Sequence, residues 1–189
     1  TLPRRELTEG WAEAIKHALI MDMGLLARFE QETDALLALE PQVTEAVVRR
    51  SVAIKAEVVS QDEREFGLRA ILNYGHTIGH ALEAVTGYGL LLHGEAVAIG
   101  MVGAARISQE MGLLTAAEVA RHQGLLERFG LPVRTLGVDR EAVLAATLLD
   151  KKVRSKRVRW VLLHGLGNAV VRDDVPAAVV SRVGADVLG

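Results

Sequence analysis

Residues 73–80, NYGHTIGH, set two histidines four residues apart with a glycine immediately before each. A third, His93, follows after twelve intervening residues. Three neutral imidazoles, or two with a carboxylate, suit zinc and leave a coordination position open for a substrate. The same donors suit cobalt. The carboxylate candidate is Glu13 in EGWAEAIKHAL, where Glu13, Lys16 and His17 share one side of a helix at spacings of three and four. An ordinary surface Glu–Lys pair would use the same spacing. Lys55 lies in VAIKAEVV. An ammonium in that apolar context is costly unless it is paired or used, or unless its stem lets it reach water.

On an α-helix each residue advances about 100°. With Asn73 as zero, His80 falls at about −20°, Arg69 at about −40° and His76 at about −60°. Four polar side chains then share one arc, while Leu68, Ile71 and Leu72 lie elsewhere. Gly75 and Gly79 share the opposite side, where each costs about 1 kcal/mol relative to alanine in a helix interior. Tight packing against another backbone is the return expected for that cost. A solvated surface stripe does not need glycines behind it.

The elements that must position these residues follow from periodicity and punctuation. A first helix is predicted from about Arg4 to Leu26, with Gly24 as its weak point, and Pro41 opens a second. Helical pattern returns over residues 68–85 and stops at the turn signal TGYG. A helix beginning near His93 is rich in glycine and alanine, so neighbouring backbones can come close. Thr115 with Glu118 reads as a capping box. That helix stops at FGLP, and Asp139 caps another reaching about Leu149. VRWVLL and NAVVRD, separated by HGLG, predict a small hairpin. The expected fold is mainly α, one helical domain over residues 1–189 with a β-hairpin near its C-terminus.

Composition narrows the function. The 189 residues are 50% hydrophobic but only 4% aromatic, so Ala, Val and Leu must fill the core. A net charge of −2 exerts no general pull on nucleic acid or acidic membranes. There are no cysteines, which excludes disulfides and thiolate metal sites and suits a reducing cytoplasm. Neither a membrane-spanning apolar run nor a Gly-rich phosphate loop after a strand can be read. The opening TLPRREL has no Met and runs directly into helical pattern, as in a piece of a longer protein.

Four blocks in order, the first around EAIKHALI, then IKAEVVSQDEREFGLRAILNYGHTIGHALE, GYGLLLHGEAVAIGM and DKK, together resemble 3-dehydroquinate synthase. The similarity covers the C-terminal, helical half of that family. The resemblance implies a metal site of Glu13, His76 and His93, holding zinc or cobalt. It implies that His80 is not a ligand but meets the substrate phosphate with Asn73. Lys55 and Arg69 are implied at the substrate carboxylate, and Lys16 near the reacting hydroxyls. Lys152 is implied at the phosphate, with Lys151 and Lys156 as alternatives. Glu13, Lys16, Lys55 and His80 would thus carry the catalysis.

The implied reaction is that of a carbon–oxygen lyase of the shikimate pathway. It converts 3-deoxy-D-arabino-heptulosonate 7-phosphate to 3-dehydroquinate and phosphate. Oxidation by NAD acidifies a neighbouring C–H, phosphate is eliminated, and reduction, ring opening and an aldol closure follow. The family resemblance further implies an N-terminal NAD-binding half absent from this chain, a homodimer, and an inactive isolated chain. A 2-deoxy-scyllo-inosose synthase type of cyclase would share the metal face, but its substrate has no carboxylate for Lys55 and Arg69. A metal-dependent polyol dehydrogenase would have little use for Asn73 and a phosphate-site lysine. A non-catalytic helical module would use none of these residues.

Overall fold

The computed structural model describes residues 2–62, 67–149 and 158–189. The chain forms α1 (Arg4–Met21), α2 (Met23–Gln31), α3 (Thr33–Leu37) and α4 (Pro41–Gln61). A 3₁₀ helix (Leu68–Asn73) precedes α5 (His76–Thr86), α6 (His93–Glu110), α7 (Ala116–Arg128) and α8 (Arg140–Leu149). The hairpin β1 (Trp160–Leu163) and β2 (Ala169–Arg172) is followed by α9 (Ala177–Val187). No described helix is long and apolar enough to cross a membrane.

Helix α6 is the axis of the fold. It is buried on nearly all sides from Gly94 to Ser108, and α1, α5, α7, α9 and β1 pack around it. A helix enclosed in this way needs small or apolar residues on every face. Three of the scarce aromatics, Trp11, Phe29 and Phe129, meet edge to face with centroids 5.4–6.1 Å apart. The hairpin pairs Trp160 with Arg172 and Leu163 with Ala169. It is tied to α6 by the Leu163 N–H donating to Ser108 Oγ (3.0 Å).

The glycines decide how α5 lies on α6. A Cβ at Gly79 would stand 3.3 Å from the Ala96 carbonyl and Val97 Cα. A Cβ at Gly100 would overlap the Gly75 carbonyl and lie 3.0 Å from Gly79 N. The expected close backbone packing is therefore present. Only Gly79, however, occupies a helix interior. Gly75 has φ +81°, a left-handed conformation that suits glycine.

Gly75 therefore breaks the helix predicted over residues 68–85, so Arg69 and Asn73 sit on the 3₁₀ helix while His76 and His80 sit on α5. The shared arc calculated for one continuous helix is thus replaced by two short elements meeting at a bend. The first helix likewise ends before Leu26, at Asp22, whose carboxylate accepts from the Leu25 N–H (2.8 Å) and restarts the chain as α2. The start of α4 at Pro41, the Thr115–Glu118 capping box, the Asp139 cap (to Ala142 N–H, 3.0 Å) and the hairpin match expectation. Helix α9 had no counterpart in the sequence reading.

One polar pair is sealed in this packing. The Tyr74 hydroxyl donates to the Met101 carbonyl (3.1 Å) and lies 3.1 Å from His122 Nε2. With its own proton committed to Met101, the hydroxyl accepts from Nε2–H, which leaves His122 Nδ1 unprotonated. That nitrogen is buried without a hydrogen-bond partner. Burial alone holds the His122 imidazole down to about 3.

Gly100→Ala should destabilise the fold by about 1–3 kcal/mol, lowering the thermal midpoint. Gly124→Ala, in α7 with open space around the added methyl, should stabilise it by up to about 1 kcal/mol. Equal effects of the two in thermal unfolding would refute the close α5–α6 packing. His122 gives an acid dependence of known sign. Its folded value is depressed below the ordinary 6.5, so the unfolded chain binds the proton first, and stability falls as pH drops from about 6.5 towards 3. Urea midpoints between pH 7.5 and 5 should decline less in His122→Leu than in the parent, and parallel declines would contradict this.

Candidate metal and substrate site

Helix α1 runs beside α4, the 3₁₀ helix and α6 and brings Glu13, Lys16 and His17 to one place. The Lys16 ammonium is 2% exposed and donates to both Glu13 oxygens (2.9 and 2.7 Å). This is not a surface ion pair, because the lysine is enclosed. Burial pulls the Lys16 ammonium down, with Glu13 opposing. Burial pushes the Glu13 carboxyl up, but Lys16, His76 and His17 outweigh it and leave it below its ordinary value. Glu13 is therefore a carboxylate at neutral pH.

His76 opens α5 directly after the Gly75 bend. Its Nδ1 lies 3.1 Å from the Tyr74 carbonyl, an oxygen that can only accept, so Nδ1 carries the proton. Its Nε2 lies 3.7 Å from Glu13 Oε1. Burial and then the Lys16 charge hold the His76 imidazole down to about 4, so it is neutral with a free lone pair. His93 opens α6, and its Nδ1 lies 3.0 Å from Glu83 Oε1. The His76 ring meets those of His80 and His93 at centroid distances of 5.2 and 5.3 Å.

Glu13, His76 and His93 each present one donor atom, all within 4.8 Å of one another. One carboxylate and two imidazoles are a donor set for zinc or cobalt. His80, Glu83 and His93 satisfy the same distance limit. In that second group, the Glu83 carboxylate already faces His93 Nδ1.

The register of α1 against α6 is fixed by hydrogen bonds as well as packing. Glu9, one turn before Glu13, accepts from the Gly94 N–H (2.7 Å). Arg5 donates to Glu95 through Nε and Nη2 (2.7 and 2.6 Å). The N-terminus of α6 is thereby fastened to α1, and His93 is held level with Glu13. A Cβ at Gly94 would strike the Glu9 carbonyl, which explains the glycine there.

Beside this cluster lies a cleft of about 160 Å³ whose wall includes Glu13, Lys16, Lys55, Arg69, Asn73 and His76. Lys55 is exposed on α4 and belongs to the cleft wall rather than to the core. Residues from α1, α4, the 3₁₀ helix and α5 thus meet here. His80 is exposed beside His76 and is not in this wall. Asn73 also walls an adjoining cleft with Arg159, a residue that the sequence reading passed over. Lys152, with Lys151 and Lys156, lies outside the described residues.

Two partners of these histidines, Ser51 and Glu83, escaped the sequence as well. His17 Nδ1 lies 2.6 Å from Ser51 Oγ, both buried, and burial followed by the Lys16 charge holds this imidazole down to about 4. The signal for Ser51 was weak, one serine on the apolar side of α4. Glu83 could have been found as a carboxylate one turn beyond His80.

Comparison with known proteins agrees with this architecture. A family model described as 3-dehydroquinate synthase C-terminal matches residues 10–153. The 3-dehydroquinate synthase of Nostoc punctiforme is 47% identical over 186 residues, covering 97% of this chain and 51% of the relative. That of Pseudomonas aeruginosa strain LESB58 is 50% identical over 181 residues, covering 95% and 49%. Among solved structures, 2-epi-5-epi-valiolone synthase from Streptomyces hygroscopicus, with NAD⁺ and Zn²⁺ bound, superposes with a TM-score of 0.90. It is 30% identical, with 99% of this chain and 52% of that chain covered. A 2-deoxy-scyllo-inosose synthase complexed with carbaglucose-6-phosphate, NAD⁺ and Co²⁺ gives 0.80 at 26% identity, with 99% and 54% covered. The chain spans about half the length of the curated relatives it matches. By the family match over residues 10–153, and by near-50% identity along almost its whole length, the chain belongs to the 3-dehydroquinate synthase family and corresponds to its C-terminal part.

Proposed function

We propose that this chain is the metal- and substrate-binding domain, residues 1–189, of a cytoplasmic 3-dehydroquinate synthase. The complete enzyme would be a phosphate-eliminating lyase that turns 3-deoxy-D-arabino-heptulosonate 7-phosphate into 3-dehydroquinate. The observation that carries this reading is the meeting of Glu13, His76 and His93 within 4.8 Å beside a cleft walled by Lys16, Lys55 and Arg69. A divalent-cation donor set next to three cations suits a substrate that is a polyol, a carboxylate and a phosphate at once. Identity of 47–50% to 3-dehydroquinate synthases, against 26–30% to the other cyclases, favours this substrate over theirs.

The donors fit a metal: Glu13 is ionised, His76 is neutral, and each imidazole has its Nδ1 engaged, which leaves Nε2 as the ligand atom. Zinc or cobalt held by Glu13, His76 and His93 supplies Lewis acidity to a substrate hydroxyl. Lys16 keeps Glu13 charged and presents its ammonium at the cleft wall near the same hydroxyls. Arg69 and Lys55 receive the substrate carboxylate, Arg69 by paired N–H donors. Asn73 and His80 receive the phosphate with Lys152, and His80 stabilises charge as phosphate departs. Holding the ring-opened product in place favours the intramolecular aldol closure. Because the chain spans about half of its relatives, this reading assigns NAD to the remainder of the enzyme, and further phosphate contacts to that remainder and to the neighbouring subunit of a homodimer.

The parent chain should bind about one zinc per chain, and His76→Ala should lose it by metal analysis. His80→Ala should keep the metal but weaken inorganic phosphate binding. Metal loss in His80→Ala would show that the roles are reversed. In the complete enzyme, Arg69→Ala should lower kcat/KM about 10–100-fold, the worth of a charged hydrogen bond, without changing metal content. An unaltered kcat/KM would remove Arg69 from the substrate site.

A further inference from the structure

We propose that Glu83 is a positioning residue for the metal centre, fixing the tautomer and orientation of His93. The inference rests on the reading that Glu13, His76 and His93 hold the metal. His93 is the most exposed of the three, with 45% of its side chain accessible, so its ring is held less by packing than by its partner. That partner is Glu83 Oε1, 3.0 Å from Nδ1, on a carboxylate only 12% exposed. A carboxylate can only accept this bond, so Nδ1 carries a proton and Nε2 is the ring atom left to face a metal. His76 is held in the same tautomer by the Tyr74 carbonyl. Both imidazoles thus spend Nδ1 on a supporting acceptor, the arrangement in which an outer carboxylate orients a metal-binding histidine and raises its basicity.

The competing arrangement makes Glu83 itself a ligand, together with His80 and His93. It would break the Glu83–His93 bond and leave Glu13 and His76 outside the site. It would also place the cation among side chains of which two, His80 and His93, are exposed. The hydrogen bond present favours the supporting role.

The test is zinc affinity of the full chain, measured by competition with a chromophoric chelator, together with the visible spectrum of the Co²⁺ form. Glu83→Ala should bind zinc about 10–100-fold more weakly than the parent and shift the Co²⁺ bands. Glu83→Gln should lie between them, because its amide oxygen can still accept from Nδ1–H. Metal-free Glu83→Ala should unfold at the parent's temperature. Parent-like affinity and spectrum in Glu83→Ala, with binding still lost in His76→Ala, would overturn the positioning role alone. Abolished binding in Glu83→Ala with full binding in His76→Ala would make Glu83 a ligand and overturn the underlying ligand set as well.

Discussion

Two backbones meet where α5 crosses α6, and the site is arranged around that contact. Gly79 lies on Ala96 and Val97, while Gly100 receives the carbonyl of Gly75 and the amide of Gly79. No side chain separates the helices there, so the start of α5 is set against α6 by backbone contact rather than by adjustable rotamers. Gly75 adds the bend. It turns Arg69 and Asn73 towards the α1–α4 side while His76 stays over Glu13. The Glu9–Gly94 hydrogen bond then aligns α6 with α1. Three helices carrying one of Glu13, His76 and His93 each would otherwise be free to slide past one another.

Electrostatics depends on that geometry. Lys16 is enclosed and would lose its charge in an apolar setting, but Glu13 opposes the burial penalty from two contacts under 3 Å. The same ammonium disfavours protonation of His76 and His17. Burial and this one cation together keep His76 neutral, while the cation helps keep Glu13 ionised, the protonation states required of metal ligands. With Lys55 and Arg69 at the rim, the cleft is suited to an anionic substrate despite the chain's slightly negative net charge.

Much of this was legible in the sequence wherever the determinants are local. The His76–His80 spacing, the small-residue helix after His93, the caps at Thr115 and Asp139 and the glycines opposite the histidines all depend on near neighbours. A periodicity argument failed at Gly75, because a helical wheel assumes a continuous helix and cannot register one residue with positive φ. Asp22 ended α1 ahead of the expected weak point at Gly24, since its side chain found both the Leu25 amide and Arg50. The partnerships Glu9–Gly94, Glu83–His93, His17–Ser51 and Tyr74–His122 join separate parts of the chain, so no local pattern announces them. The division of labour between His76 and His80 came from family resemblance, not from spacing.

In the proposed site the ion sits between α1, α5 and α6 rather than between α5 and α6 alone. An anomalous difference map at the zinc edge, from crystals grown with zinc, tests it directly. One peak is expected about 2.0–2.2 Å from a Glu13 oxygen and from Nε2 of both His76 and His93. A peak bound by His80, Glu83 and His93, with Glu13 still occupied only by Lys16, would contradict it.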